Sequence, residues 1–508
     1  MHKRKNILLI LSDQEQHWDI LPSALRRNGL DLLRELGLGF QNHHVVTMPC
    51  GPSRSTIYSG LHTKFTGLHS NPSRARGSGM STDVPTVGSM LGEHGYYTAY
   101  KGKWHVSVID APTPFAANTV GALRDYGFAE YTAEGDPVGI SWDGFRRDPA
   151  VASDAANWLL GLTGGKPSDQ PWFLAVNFVN PHDVMFFDAT GRMNRDGTSP
   201  VPRLPAPRAK QYEDYWDVDL PLSFDDDLAT KPPAQSQIAS FVESVLGEIP
   251  HEDHVAWKAL RSYYFNCLQD LDTNVSTVLA ALQESGHLSD TVVVYTSDHG
   301  EAAGAHGLRE KPVSVYREVV NVPLVVVHPD LPGGVETAAL SSAIDLVPTL
   351  LSLADINAGE HYPGLSGVDL TPAIESVSGR TERDRRGILF SSKRASTQDG
   401  HSRSYMRGYF DGRWKLGRYF SAEDELSASQ PERLLHDNDL ELYDTLSDPN
   451  EVRNLAHEPE HRKTMFALAA KLARLELDEL SGSGNSSKIT GDGRERPSSP
   501  TTGGSAIT

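Results

Sequence analysis

Two cysteines occur in this chain of 508 residues, Cys50 and Cys267, and only Cys50 stands among residues whose spacing suggests chemistry. It opens the run Cys50-Gly51-Pro52-Ser53-Arg54-Ser55-Thr56, which continues as Ile57-Tyr58-Ser59-Gly60. Proline suits the first turn of a helix, so the run predicts a helix beginning near Pro52 with Cys50 just before its N-terminus. Backbone N–H groups and the helix dipole favour an anionic centre at that place. Arg54, four residues on, can reach back toward Cys50. A low-pKa thiol nucleophile and a buried structural cysteine are both compatible with this setting.

Three further polar groups follow short apolar runs. Asp13-Gln14 comes after Ile7 to Leu11, Asn180 to Asp183 after Trp172 to Val179, and Asp298-His299 after Thr291 to Thr296. These runs, and Val322 to Val327, read as buried parallel strands. Helical spacing of three and four marks Leu21 to Leu36, Pro85 to His94 and Val255 to Leu282 between them. Strands alternating with helices predict an α/β fold, a large, mostly parallel sheet sandwiched by helices. Such sheets bind ligands at the carboxyl ends of their strands, so the three polar groups are expected to converge on one site. Carboxylate and amide oxygens suit hard cations such as calcium, magnesium or manganese, and an imidazole leans toward a transition metal. Taken singly, an Asp at a strand end or an Asp-His pair is more often a cap or a turn.

With these pieces in this order, the sequence resembles the formylglycine-dependent sulfatases of the alkaline-phosphatase-like superfamily, whose signature is Cys-x-Pro-x-Arg. The resemblance implies a sulfuric ester hydrolase that cleaves a small-molecule sulfate monoester to an alcohol and inorganic sulfate. Cys50 is then the residue oxidised to formylglycine (3-oxoalanine), with a formylglycine-generating enzyme as its maturation partner. Asp13, Gln14, Asp298, His299 and the Cys50-derived side chain would hold one divalent metal, calcium first, with manganese or magnesium as alternatives. Gly102-Lys103-Trp104-His105 matches the segment whose Lys and His contact the formylglycine and the sulfate. Pro181-His182 resembles the substrate-contacting His segment, and Lys311 follows Asp298-His299 at the family's distance.

The catalytic set implied in this way is Cys50, Arg54, Lys103, His105, His182 and Lys311, with Lys103, His182 and Lys311 binding substrate. Outside the pattern, Lys103 and Lys311 read as surface charges and His182 as a cap or core residue. Asp345 to Leu350, Gly412 to Leu416, Glu441 to Asp444, Asp448-Pro449, Glu451 and Asn454-Leu455 extend the resemblance, in segments, over residues 5 to 457. One departure stands out. Many sulfatases have two adjacent acids where this chain has Asp13-Gln14, and an Asn where it has His299. The combination here is similar to the phosphonate monoester hydrolase and choline-sulfatase branches. A phosphonate monoester or phosphodiester hydrolase using the same formylglycine is therefore the rival reading. A non-catalytic binding protein with unoxidised Cys50 is the rival of another class.

Composition bounds these readings. With 38% hydrophobic and 22% charged residues the chain can fill one large or two unequal domains, and its net charge of -19 argues against nucleic acid or an anionic membrane as partner. An anionic substrate must then meet a local basic pocket, which Lys103, His182 and Lys311 could supply. Two cysteines are too few for a disulfide framework, which suggests a reducing compartment. The apolar run behind the basic residues Lys3 to Lys5 is shorter than a signal peptide's, and no stretch approaches the roughly 20 apolar residues of a membrane span, so a cytoplasmic protein is expected.

Residues 1–384 are expected to form the catalytic domain. Within it, 185–250, rich in Pro and Asp and poor in periodicity, reads as a long excursion or lid. Residues 385–480 are expected to form a smaller C-terminal α+β subdomain, with strands at Gly387 to Ser391, Tyr405 to Phe410 and Arg413 to Leu416 and a last helix at Pro459 to Leu480. Residues 481–508, rich in Ser, Gly and Thr, read as a disordered tail.

Overall fold

A computed structural model describes residues 4–73, 79–109, 121–131, 136–165, 169–192, 202–376, 379–393, 403, 405–421, 424 and 431–481. Beyond residue 481, the expected tail lies outside the described residues.

The apolar runs become strands because each is buried on both faces. In β1 (Asn6–Asp13) every residue is buried. Ile7, Leu9 and Leu11 enter one hydrophobic core while Leu8 and Ile10 enter the other, as the two-residue period of a strand requires. Burial of each such side chain contributes roughly 1.5–3 kcal/mol. The other strands of the sheet are β2 (Leu38–His44), β3 (Tyr97–Gly102), β4 (Glu130–Tyr131), β5 (Trp172–Pro181), β6 (Thr291–Ser297), β7 (Leu324–Val327) and β8 (Val335–Ser342). They lie in the order β4-β3-β5-β1-β6-β7-β2-β8.

β1 pairs in parallel with β5 and with β6, placing Asp13 opposite Pro181 and Ser12 opposite Ser297. Three carboxyl ends therefore finish side by side. The expected parallel strand at Val322 to Val327 is corrected: β7 starts at Leu324 and runs antiparallel to both β6 and β2. A parallel return needs a crossover to the far end of the sheet. The 298–323 connection instead carries Lys311 and two short helical turns, Ala305–Gly307 and Arg317–Val320, and hydrogen-bonds within itself, Gly300 N to Val319 O and Glu301 N to Glu318 O. The chain thus re-enters the sheet in the opposite direction.

One face of the sheet is covered by α1 (Asn28–Leu36), α3 (Asp143–Leu159) and α5 (His254–Glu284), and the other by α2 (Cys50–Ser59) and α6 (Leu346–Leu353). α1 is shorter than the expected Leu21 to Leu36, because the chain closes a turn, Leu25 N to Pro22 O, and stays irregular up to Arg27. Within the expected excursion, Pro233–Leu246 forms a helix, α4, that shows little periodicity because only Ala234, Gln235 and Leu246 are buried along it. The same stretch is pinned to α5, where Tyr212 donates to Asp270 at 2.9 Å and Trp216 donates to Asn266 at 2.7 Å.

The C-terminal strands β9 (Ile388–Lys393), β10 (Tyr405–Phe410), β11 (Trp414–Phe420) and β12 (Asp439–Asp444) form an antiparallel sheet in the order β12-β11-β10-β9, against which α7 (Arg462–Leu480) packs. A buried ionic cluster fastens α7 to the larger sheet. Glu479 accepts from Arg383 and lies 2.8 Å from His62, and Arg383 also pairs with Asp345 at 2.6 Å. Among the described residues, no helix is long and apolar enough to cross a membrane.

Candidate active site

The strand ends and the start of α2 meet at one place. β1 delivers Asp13 and Gln14, β6 delivers Asp298 and His299, and α2 delivers Cys50 as its first residue, all fully buried. One potential ligand atom from each of Asp13, Cys50, Asp298 and His299 lies within 4.8 Å of all the others. The Cys50 sulfur is 3.1 Å from Nε2 of His299 and 3.6 Å from Oδ1 of Asp13. His299 Nδ1 faces the Gly300 carbonyl at 3.0 Å, which fixes the ring with Nε2 toward Cys50.

Arg54 does not reach back to Cys50 as its spacing suggested. Its Nε donates to Asp298 at 2.7 Å, Nη2 to Asp13 at 3.2 Å, and Nη1 to the Lys103 carbonyl at 2.8 Å and to Asn177 at 3.3 Å. The two buried carboxylates outcompete the sulfur because a guanidinium in low dielectric binds anions first. Arg54 is thus the clamp that holds both carboxylates on the same side of Cys50.

Gln14 adopts φ 76°, a left-handed backbone that turns its side chain. Its Oε1 accepts from Lys311 Nζ at 2.6 Å and its Nε2 donates to Glu301. Lys103 Nζ lies 2.6 Å from Asp13 Oδ2. Burial alone would raise the Asp13 carboxyl, but Lys103 and Arg54 outweigh it and hold it well below the usual carboxylate range. Asp298 is pushed up by burial and by the neighbouring Asp13. Burial disfavours a charged His299, yet Asp298 and Cys50 bring it up to about 9. The two carboxylates and the imidazole gathered there suit a divalent cation, and the Gln14 carboxamide follows Asp13 directly in the chain.

Beside the start of α2, where Gly51 N donates to Asn71 at 2.9 Å, opens a cavity of about 480 Å³, lined by His105, His182 and Lys311 together with Asn71, Asp136, Val138, Met185 and Phe186. Both histidines are pushed well below the ordinary imidazole range by burial and by the ammonium groups beside them, Lys103 at His105 and Lys311 with Lys103 at His182. Each is therefore neutral, and each has a buried Nδ1 with no hydrogen-bond partner among the described residues. Lys311 is raised despite burial, by Cys50 and Glu310. Lys311 is thus the ammonium group that lines the cavity, beside the acid Asp136 and the two neutral imidazoles.

Three contributors were not singled out from sequence. Asp136 accepts from the backbone N–H groups of Trp104 at 2.8 Å and His105 at 2.9 Å, and so holds the φ 53° bend that turns His105. No spacing announces it. Asn177, inside β5, is buried at Arg54 and accepts from Tyr58 at 2.7 Å. Glu301 directly follows Asp298-His299-Gly300, which was its only signal. Cys267 stays remote in α5, where burial raises its thiol and makes it inert.

This geometry agrees with what comparison shows. Residues 5–356 match the Sulfatase family model, and residues 304–478 match that of the N-sulphoglucosamine sulphohydrolase C-terminal region. The chain belongs to the sulfatase family, and it is a sulfuric ester hydrolase with the alkaline-phosphatase-like fold. It is 26% identical over 445 residues to the Delta 4,5-hexuronate-2-O-sulfatase of Bacteroides thetaiotaomicron, covering 86% of this chain and 80% of that one. It is 25% identical over 490 residues to the choline-sulfatase of Rhizobium meliloti, covering 90% and 83%. The phosphonate monoester hydrolase of Silicibacter pomeroyi superposes with a TM-score of 0.69 at 21% identity, over 94% of this chain and 96% of that one, which shows a shared fold.

Proposed function

We propose that this sulfatase cleaves a sulfate monoester with a formylglycine made from Cys50, beside a divalent cation held by Asp13, Gln14, Asp298 and His299. The observation that carries the reading is the gathering of Asp13, Cys50, Asp298 and His299 within 4.8 Å at the start of α2. A thiol is a soft nucleophile, whereas a hydrated aldehyde at the same position offers a hard oxygen for attack on sulfur. The cation, calcium by its oxygen-rich donor set, supplies Lewis-acid stabilisation of negative charge.

The remaining steps belong to side chains in place. Arg54 fixes the two carboxylates. Lys103 and Lys311 bring ammonium groups to the non-bridging oxygens of the ester. His182, neutral and lining the cavity, relays the proton given up by the attacking hydroxyl at position 50 to the departing oxygen, so that the alcohol leaves neutral. His105, also neutral, accepts the proton of a hydroxyl at position 50 when sulfate is expelled. Each preorganised donor of this kind is worth roughly 3–4 kcal/mol in the barrier.

The donor pair Gln14 and His299 keeps a phosphodiester or phosphonate monoester as the second reading, since either presents one negative charge on a tetrahedral centre. Parallel assays separate the two. Turnover of 4-nitrophenyl sulfate, bis(4-nitrophenyl) phosphate and a phenylphosphonate ester is measured after chelation and after return of calcium, manganese or magnesium. A preference for the sulfate that chelation removes and calcium restores supports the proposal. A preference for either phosphorus ester favours the rival, and metal-independent turnover contradicts both.

A further inference from the structure

We propose that Glu301 is a positioning residue that fixes the orientation of the Gln14 carboxamide, so that its oxygen rather than its nitrogen faces the cation site. This inference rests on the reading of Gln14 as a cation ligand and adds what makes a neutral amide able to serve as one.

A carboxamide has an acceptor end and a donor end of nearly the same shape, so nothing in its own bonding decides which faces a cation. The surroundings of Gln14 decide it from both sides. Lys311 Nζ, a group that can only donate, lies 2.6 Å from Oε1, and Oε2 of Glu301 takes the hydrogen bond of Nε2. The carbonyl oxygen has a second lone pair, so it can accept from Lys311 and still face a cation.

Glu301 is itself held rigidly. Its Oε1 accepts from the backbone N–H groups of Ala303 at 2.9 Å and Glu310 at 2.7 Å, and its backbone carbonyl accepts from Gln16 Nε2 at 2.5 Å. Its exposure is 1%. With Oε1 occupied by two backbone donors, only Oε2 is left for Gln14. The same two bonds close the 301–310 loop immediately before Lys311. One carboxylate therefore sets both the amide of Gln14 and the starting point of the lysine that touches it. Partners of this kind behind metal ligands typically change affinity 10- to 100-fold when altered.

Glu301→Gln is the discriminating change because it preserves shape. The backbone N–H groups of Ala303 and Glu310 claim the new amide's oxygen, so its NH2 group points at Gln14. Gln14 must then rotate, presenting its own NH2 group to Lys311 and to the cation. Adding Gln14→Glu to that variant removes the demand for orientation, since both ends of a carboxylate accept. Calcium affinity is measured by isothermal titration calorimetry on the full chain, without substrate, for wild type, Glu301→Gln, Gln14→Glu and the double variant.

The expected result is a 10- to 100-fold loss of affinity in Glu301→Gln, and a gain from Gln14→Glu at least tenfold larger in that background than in the wild type. Calcium binding by Glu301→Gln at wild-type strength overturns the proposal. So does a Gln14→Glu effect of equal size in both backgrounds, which a simple change of charge produces. A wild-type protein that binds no divalent cation instead overturns the reading of the metal site itself. If Glu301→Gln does not fold, Gln14→Glu alone carries the test. Its carboxylate then faces that of Glu301, and the metal-free protein should melt several degrees below wild type; an unchanged or higher melting temperature overturns the proposal.

Discussion

The sulfur of Cys50 lies 3.1 Å from Nε2 of His299, although 249 positions separate the two residues in the chain. β6 ends beside the start of α2, which brings the candidate nucleophile against the candidate ligand set. Cys50→Ala is expected to abolish sulfate release while leaving the fold intact, because the missing atom is not part of either core packing layer. Sulfate release by ion chromatography, with circular dichroism as the control for folding, checks this.

Lys311→Ala and His182→Ala are expected to leave slow enzymes. Loss of one preorganised donor costs roughly 3–4 kcal/mol, or about 10² to 10³ in kcat. The His182 variant should lose most with poor leaving groups. A series of aryl sulfates of increasing phenol pKa measures this as a steeper dependence of kcat on leaving-group pKa than in the wild type.

Arg54→Met should destabilise the metal-free protein by about 3–5 kcal/mol, since it leaves Asp13 and Asp298 as facing buried carboxylates without their shared cation. Calcium should recover part of that loss. Urea midpoints with and without calcium test both halves of the expectation.

Glu479 is the source of an acid-sensitive part of stability. Burial raises its carboxyl, but Arg383 and His62 outweigh this and hold it down to about 2. Because the folded pKa lies below the unfolded one, the contribution is fully present above about pH 4.5 and is lost as pH falls toward 2, and it amounts to roughly 3 kcal/mol. Glu479→Gln should therefore be less stable than wild type at pH 7 by about that amount, with the gap narrowing by about 2 kcal/mol at pH 3. Urea unfolding of both proteins at the two pH values measures it.

Much of the architecture was readable because its signals are local. β1, β5 and β6 are unbroken apolar runs ended by polar residues, and a strand buried on both faces can be little else. The direction of β7 was not readable, since Val322 to Val327 carries the same apolar signature whichever way it enters the sheet. α4 was missed because most of its side chains face solvent. At the site, the residue types at strand ends could be named from sequence, but their pairing could not. Arg54 has the right spacing for Cys50 and yet turns to two carboxylates that arrive from distant strands. Glu301 and Asp136 act through backbone N–H groups and a carboxamide, contacts that leave no pattern in a single chain.

The most direct test of the account is the mass of the Cys50 peptide in protein from its native source, measured alongside sulfate release by the same preparation. Conversion of the thiol to an aldehyde lowers the peptide by about 18 Da. Sulfate release should rise in proportion to the fraction of lighter peptide across preparations matured to different extents. Full sulfate release from protein whose Cys50 peptide keeps the thiol mass would contradict the account.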